Sequence, residues 1–224
     1  MHRIEIELAK RILILDGAMG TMVQKYLLQE HNYRNKFLKD HKIELKGNTD
    51  ILNLTDPEII RSIHLEYLQA GADIVSTNTF GANAISQEDY DTGKLVWDMN
   101  REGAVLARSA IDEFMKSDSS RPRFVAGAIG PTTKLASMSP KVNDPGFRDV
   151  SFDELVEAYA EQASALIEEG IDLFLLETIT DTLNAKAAIF ALMTIFEEIE
   201  TEFPIMVSAT ITDQSGRILS GQTL

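Results

Sequence analysis

Residues 56–79, DPEIIRSIHLEYLQAGADIVSTNT, place a helix signal directly before a strand signal. Asp56 and Pro57 indicate a helix start, because aspartate caps the first amides and proline fits the first turn. Apolar side chains then recur on one face until Gly71, a residue type that ends helices. The next run, residues 72–79, is apolar and predicts a buried strand. Helix followed by buried strand is typical of an α/β fold.

Four other segments carry the same strand signal. They are residues 11–16, 124–130, 172–178 and 204–211. Because each is a short apolar run, we expect strands that are buried on both faces of a parallel sheet. A capping box of Ser151 and Glu154 predicts a helix that stops at Gly170. Less sharply bounded patterns predict helices over residues 100–115 and 182–200.

The alternation of strands and helices predicts parallel strands joined by right-handed crossovers. An open doubly wound sheet and a barrel both satisfy this pattern. The five predicted strands already use the whole chain of 224 residues. A turn is predicted over residues 213–216, and the residues after it are too few for a covering helix. The chain therefore resembles part of a larger α/β unit.

The composition excludes several classes of function. The chain has 35 Asp and Glu against 21 Lys and Arg, a net charge of −14, so it lacks the basic surface of a nucleic-acid-binding protein. It contains no cysteine, which excludes disulfides, a catalytic thiol and a cysteine-ligated zinc site made by this chain alone. No signal sequence or membrane-spanning stretch is present, so we expect a cytoplasmic protein with no membrane partner.

Polar side chains close several of the predicted strands. Asp16 closes the first strand, Asn78 and Thr79 close the second, and Glu177 with Thr178 closes the fourth. Ligands of parallel α/β folds bind at the carboxyl ends of strands, so these residues are site candidates. A partly buried carboxylate needs a cation or hydrogen-bond donors, and a ligand can supply the cation.

The residues after Asp16 indicate an anion-binding turn. Gly17, Ala18, Met19 and Gly20 follow it, and successive amides in such a turn can form an anion nest. The pattern is neither GxGxxG nor a P-loop, so a carboxylate ligand is favoured over a nucleotide phosphate. The four histidines have no metal-ligand spacing and are expected to be structural or solvated.

Longer stretches resemble one enzyme family. They are ILDGAMGTMVQ (14–24), DILNLTDPEIIRSIHLEYLQAGADIVSTNTFGAN (50–83), AGAIGPTTKLASMSP, NDPGF, LLETITDTLNAKAAIFA (175–191) and SGRILSGQT. Together they resemble the N-terminal homocysteine-binding module of cobalamin-dependent methionine synthase, within the homocysteine S-methyltransferase family. Enzymes that use betaine or S-methylmethionine share the DG turn and the strand-ending Glu, whereas NDPGF and TDTLNAKAA favour the cobalamin-dependent type. Ser76 is a departure, because relatives often have Glu there.

The resemblance implies a TIM-type parallel (β/α) barrel, of which this chain holds about five strand-helix units. Residues 1–224 would be the N-terminal part of that homocysteine-binding domain. The remaining strands, and the three cysteines that hold zinc in the family, would lie outside the chain. Zinc and cobalamin therefore belong to the full-length family protein, and we expect neither to be bound to this chain. No catalytic or metal-ligating residue is assigned within it.

The resemblance also assigns the predicted site. Asp16 and Glu177 would face the ammonium of homocysteine, and the amides near Ala18 and Met19, which follow Gly17 of the same substrate-binding set, would receive its carboxylate. Asn78 and Thr79 complete the predicted substrate-binding set. The implied reaction transfers a methyl group from methylcobalamin, recharged by methyltetrahydrofolate, to the zinc-activated thiol, giving methionine. Cobalamin- and folate-binding modules of the same polypeptide are the implied partners, and the chain alone would be inactive.

Three other interpretations stay open. The chain fits a metal-free amino-acid-binding or regulatory fragment without catalysis, or a cobalamin-independent homocysteine S-methyltransferase. An unrelated barrel enzyme such as an aldolase is less favoured, because no phosphate site and no strand-closing Lys is evident.

Overall fold

The computed structural model describes residues 2–36, 38–212 and 214–223. Its sheet has four parallel strands, which are β1 (Ile74–Ser76), β2 (Phe124–Ile129), β3 (Leu173–Ile179) and β4 (Ile205–Ala209). The strands pair in chain order, each with the next. Consecutive order without a reversal is that of a barrel wall, whereas a doubly wound sheet reverses its order at a switch point.

The helices lie before and between these strands, and the longer ones cover one face of the sheet. They are α1 (Arg3–Leu8), α2 (Met19–Gln24), α3 (Leu52–Thr55), α4 (Pro57–Ala70), α5 (Ala84–Gln87), α6 (Val96–Met115), α7 (Phe152–Glu168) and α8 (Thr182–Ile199), with 3₁₀ turns at Glu30–Tyr33, Glu88–Tyr90 and Gly93–Leu95. The long helices pack in sequence, α4 on α6, α6 on α7 and α7 on α8. Within the described ranges, no helix combines the length and apolar character needed to cross a bilayer.

The predicted helix boundaries have local causes in the structure. Helix α4 follows Asp56 and ends at Gly71, whose φ of +107° is a left-handed conformation that suits glycine. Ser151 Oγ accepts a hydrogen bond from the Glu154 amide, and the Glu154 carboxylate accepts one from the Ser151 amide, so the capping box is confirmed. Asp56 makes no side-chain cap hydrogen bond. Helix α6 starts at Val96, earlier than the predicted residue 100.

The prediction of a buried strand over residues 11–16 is wrong. This segment forms one parallel bridge, Leu15 with Ile74, and a hydrogen bond from the Asp16 amide to the Ile74 carbonyl (2.9 Å). Ile12 is 88% exposed and Ile14 is 55% exposed. Among the described residues, β1 is the only strand that pairs with this segment. An apolar run becomes a buried strand only where partners cover it, and here they do not.

The fifth predicted strand forms as β4, but it is only partly covered. Its Val207 is 56% exposed, and β4 pairs with β3 along one edge alone in the described part of the chain. The predicted turn at 213–216 includes Asp213, which lies outside the described residues. Gln214 and Ser215 do form a turn, and Gly216 has a φ of +72°.

The apolar core lies mainly between the sheet and helices α6, α7 and α8. The opposite face of the sheet carries a smaller cluster, formed by Ile4, Ile74, Phe124, Ala126, Leu173 and Leu175. Strands β2 and β3 are covered on both faces, as their continuous apolar sequences predict. The loops at their carboxyl ends are therefore held on a rigid base.

Candidate functional site

The carboxyl ends of the strand segments open into a cavity of about 750 Å³. Its wall is built from the loops that follow residues 11–16, β1, β2 and β3, together with the segment before α3. Six of the seven predicted site residues line this cavity, namely Asp16, Gly17, Ala18, Met19, Asn78 and Glu177. The structure thus brings the two predicted carboxyl groups and the glycine turn together.

Thr79 is the predicted site residue that does not line the cavity. It is fully buried, and its Oγ1 lies 2.7 Å from the Ala128 carbonyl and 2.6 Å from Thr77 Oγ1. Its hydroxyl ties the loop after β1 to β2. Its position at a strand end marked it as a candidate, but the hydroxyl is already used inside the protein.

Asp16 is held by β1. Its Oδ1 accepts a hydrogen bond from Ser76 Oγ and its Oδ2 accepts one from the Ser76 amide, both at 2.9 Å. Burial raises the pKa of Asp16 to about 7, against the lowering effect of these bonds, and the charge of Glu177 adds to the rise. A cation in the cavity would stabilise the ionised form of this carboxyl.

Glu177 lies where β3 becomes irregular. Thr178 has a φ of +58°, which is rare for a β-branched residue, and the pairing of β3 with β4 shifts between Leu176 and Ile179. Neighbouring strand residues normally face opposite sides, but this bulge lets Glu177 and Thr178 both line the cavity. Burial raises the pKa of Glu177. Strained backbone of this kind is concentrated at functional sites.

Asp50 is a third carboxyl in the wall, and the sequence did not reveal it. The residue is 7% exposed, and its Oδ1 accepts a hydrogen bond from the Gly81 amide at 3.1 Å. Burial raises the pKa of Asp50 to about 7, with a further contribution from the charge of Glu177. Asp50 precedes the short helix α3 and closes no strand, so the strand-end rule could not find it.

Neutral amides stiffen the rest of the wall. Asn78 Nδ2 donates to the Thr49 carbonyl and to Asn53 Oδ1, both at 2.9 Å. Gln87 Nε2 donates to the Gly81 carbonyl at 2.9 Å. These side chains already have partners within the protein, so the carboxyl groups are the main polar groups left for a ligand.

The glycine turn is fixed by Tyr67. The hydroxyl of Tyr67 donates to the Ala18 carbonyl at 3.2 Å, and a Cβ on Gly17 would lie 2.9 Å from that hydroxyl, so a larger residue does not fit. Ala18 and Met19 stand at the start of α2. The first amides of a helix lack acceptors within the helix, which suits a ligand carboxylate.

The cavity is strongly acidic. Asp16, Asp50, Asp89 and Glu177 line it, and none of the described lining residues is Lys, Arg or His. Such a wall favours a ligand that carries a positive group. The chain has no cysteine, and in the described ranges no three His, Asp or Glu side chains are arranged to hold a metal ion. A zinc ion held by the described residues alone therefore does not fit.

Fold and site together define a barrel-type α/β protein with an acidic cavity at the strand ends, where such folds bind ligands. The family model for Homocysteine S-methyltransferase matches residues 13–224, and the chain belongs to that family. The resemblance to the homocysteine S-methyltransferase family is thereby confirmed.

Solved structures of the homocysteine methyltransferase MmuM from Escherichia coli share the fold. The oxidised form is 22% identical with a TM-score of 0.74, covering 96% of this chain and 68% of its own. The metallated form is 20% identical with a TM-score of 0.70, covering 97% and 69%. The chain thus spans about two thirds of their length, and the predicted fold class, a parallel (β/α) unit of the TIM type, is confirmed.

Proposed function

We propose that this chain supplies the amino-acid-binding part of a homocysteine S-methyltransferase site of the cobalamin-dependent methionine synthase type. The observation that carries the proposal is the pairing of Asp16 and Glu177. They come from two separate strand segments, line one cavity, and the charge of Glu177 raises the pKa of Asp16. A single ammonium group between them would relieve this repulsion and the burial of both carboxyls.

Homocysteine matches the remaining features of the wall. Its ammonium pairs with Asp16 and Glu177, and its carboxylate accepts hydrogen bonds from the amides at Ala18 and Met19, on the Gly17 turn. Asn78 borders the substrate, while Thr79 supports the wall from behind. In the reaction the homocysteine sulfur forms a bond to the methyl carbon, the bond between that carbon and the donor breaks, and the thiol proton is released.

The groups that activate the thiol are not among this chain's residues. A free thiol has a pKa of about 8.5, so little thiolate exists at neutral pH without help. We therefore expect no turnover from the chain alone. We place residues 1–224 in the N-terminal part of a homocysteine-binding barrel domain, with cobalamin- and folate-binding modules as partners and the cytoplasm as location. The stretches NDPGF and TDTLNAKAA support this type.

A second candidate is a cobalamin-independent methyltransferase with a cationic methyl donor. The cavity wall favours this candidate, because it combines carboxyl groups with the aromatic rings of Phe80 and Tyr90. Aromatic faces beside carboxylates bind sulfonium and quaternary ammonium groups. Methyl transfer to homocysteine from S-methylmethionine, but not from methylcobalamin, in the full-length protein would support this candidate. Binding without transfer from either donor would support an amino-acid-binding protein without catalysis.

The proposal is tested by removing the ammonium from the ligand. Isothermal titration calorimetry under reducing conditions compares L-homocysteine with 4-mercaptobutyrate, which keeps the thiol and the carboxylate. Because charge-assisted hydrogen bonds contribute roughly 1.5 to 3 kcal/mol, we expect the desamino compound to bind at least about tenfold more weakly. Equal affinity for the two compounds would contradict an ammonium site at Asp16 and Glu177.

A further inference from the structure

Asp50 has no role in the pairing of Asp16 with Glu177, yet it lies in the wall of the same cavity. We propose that Asp50 is a third member of the ammonium-binding group, and that its carboxyl gives up a proton when a cationic amino acid enters the cavity. This inference rests on the proposed function, since it assigns a further residue to the same amino-acid site.

The surroundings of Asp50 leave its carboxyl poorly neutralised. Its Oδ1 accepts a hydrogen bond from the Gly81 amide at 3.1 Å, the amide of Asp50 itself also favours the ionised form, and no described side chain donates to the carboxyl. A Cβ on Gly81 would lie 2.9 Å from Oδ2, so the glycine gives the carboxyl its space. No described Lys, Arg or His forms an ion pair with it. A carboxylate so buried is unfavourable until a ligand brings a positive charge.

The groups that face Asp50 come from other elements and are acidic or neutral. Glu177 of β3 acts on Asp50 and also on Asp16, so it links the two carboxyls electrostatically. Tyr90, from the 3₁₀ turn, has a pKa raised first by burial and then by the charge of Asp50. Asp89 beside it also lines the cavity. A cation placed next to Glu177 is therefore felt by both Asp16 and Asp50.

Binding of an amino acid is linked to the release of protons from the cavity. Burial raises the pKa of Asp16 and of Asp50 to about 7, so below neutral pH the empty cavity retains protons. An ammonium favours the ionised carboxyls and lowers these pKa values, so binding expels protons. Affinity for an amino acid should then increase as the pH rises towards 7.

The test uses L-2-aminobutyrate, which has the ammonium and carboxylate of homocysteine but no thiol that could release a proton. Calorimetry at pH 6.5 in two buffers of different ionisation enthalpy gives the number of protons released. For the unmodified chain we expect proton release on binding. For Asp50→Asn we expect less release and an affinity lower by about tenfold. Asparagine keeps the acceptor for the Gly81 amide, and Asp112→Asn, at an exposed position on α6, is the matched control, expected to retain both affinity and proton release.

The inference would be overturned if the Asp50→Asn variant folds, binds L-2-aminobutyrate with unchanged affinity and releases as many protons as the unmodified chain. If that variant unfolds, carboxyl carbon-13 NMR titration of the unmodified chain decides instead. The Asp50 titration midpoint should fall when L-2-aminobutyrate is added, and an unchanged midpoint would overturn the inference. Asp50-dependent binding of L-2-aminobutyrate with no competition from homocysteine would contradict only the proposed function. No binding of either compound would contradict both.

Discussion

Ser76 determines how the Asp16 carboxyl is presented to the cavity. Both of its donors, the amide and the hydroxyl, bind Asp16, one to each oxygen. Each carboxylate oxygen can accept a second hydrogen bond, so an ammonium can still bind. A Glu at this position would bring a second acid there, whereas serine donates and holds the carboxyl in one orientation. Ser76 therefore favours an ordered Asp16.

His64 makes the stability of the chain depend on pH. It is fully buried on α4, no described group bonds to either ring nitrogen, and burial lowers its pKa from 6.5 to about 4. Between pH 6.5 and pH 4, His64 is protonated in the unfolded chain but stays neutral in the folded chain. The free energy of unfolding therefore decreases as the pH falls through this range. At pH 5 this decrease is about 2 kcal/mol.

Urea unfolding at pH 7 and pH 5 tests this expectation. The loss of unfolding free energy between the two pH values should be smaller in His64→Leu by about 2 kcal/mol. His31→Gln, a change at an exposed histidine, is the control and should keep the loss found in the unmodified chain. An identical pH dependence in all three proteins would show that His64 is not the buried, neutral group described above.

Asp16 and Glu177 could be predicted from the sequence because each closes an apolar run, and strand ends meet at one edge of a parallel sheet. Asp50 could not, because its place depends on the loop after β1 folding back so that the Gly81 amide reaches it. Thr79 carried the same strand-end signal as Asn78. Only the packed structure shows that its hydroxyl is turned to Ala128.

The elements themselves were predictable where the signal is local. The capping box at Ser151 and the stop at Gly71 act within one turn, so sequence and structure agree there. Residues 11–16 differ, because burial of a strand is decided by its neighbours and not by its own composition. The segment is apolar, but the described part of the chain does not cover it.

Strand β4 should make the chain self-associate. Its outer edge has no partner among the described residues, and Val207 on it is 56% exposed. Open strand edges pair with other chains, and lysine on an edge prevents this. We expect sedimentation velocity to show association that increases with concentration, and Val207→Lys to reduce it.

Val142→Lys is the control for this experiment, since Val142 is 95% exposed but lies in the loop between β2 and α7 and not on a strand. It should leave the association unchanged. A monomer at every concentration tested, or equal effects of the two lysine variants, would contradict an exposed adhesive edge.

At the scale of the whole molecule, alternation of helix and strand was sufficient to predict a parallel α/β fold. The choice between a barrel and a doubly wound sheet needed the strand order, which is consecutive here. Strand order is a long-range property, because it depends on which faces the crossover helices cover. The excess of negative charge has its local counterpart in the acidic cavity.

Metal content follows from the residues available. The chain has no cysteine, and the described His, Asp and Glu side chains form no group of three suited to a metal ion. We expect the dialysed chain to contain less zinc than one ion per chain by elemental analysis. One tightly held zinc per chain would contradict the assignment of the metal ligands to residues outside this chain.

The most direct test of the amino-acid site is the affinity of Glu177→Gln for L-homocysteine, measured by calorimetry under reducing conditions. Glutamine keeps the shape and one acceptor oxygen but removes the charge that meets the ammonium. Because a hydrogen bond to a charged group contributes roughly 1.5 to 3 kcal/mol, the affinity should fall by about ten- to a hundredfold. Glu157→Gln, at an exposed position on α7, should bind as the unmodified chain does. Unchanged affinity in folded Glu177→Gln, or no binding by the unmodified chain, would contradict a shared ammonium site at Asp16 and Glu177.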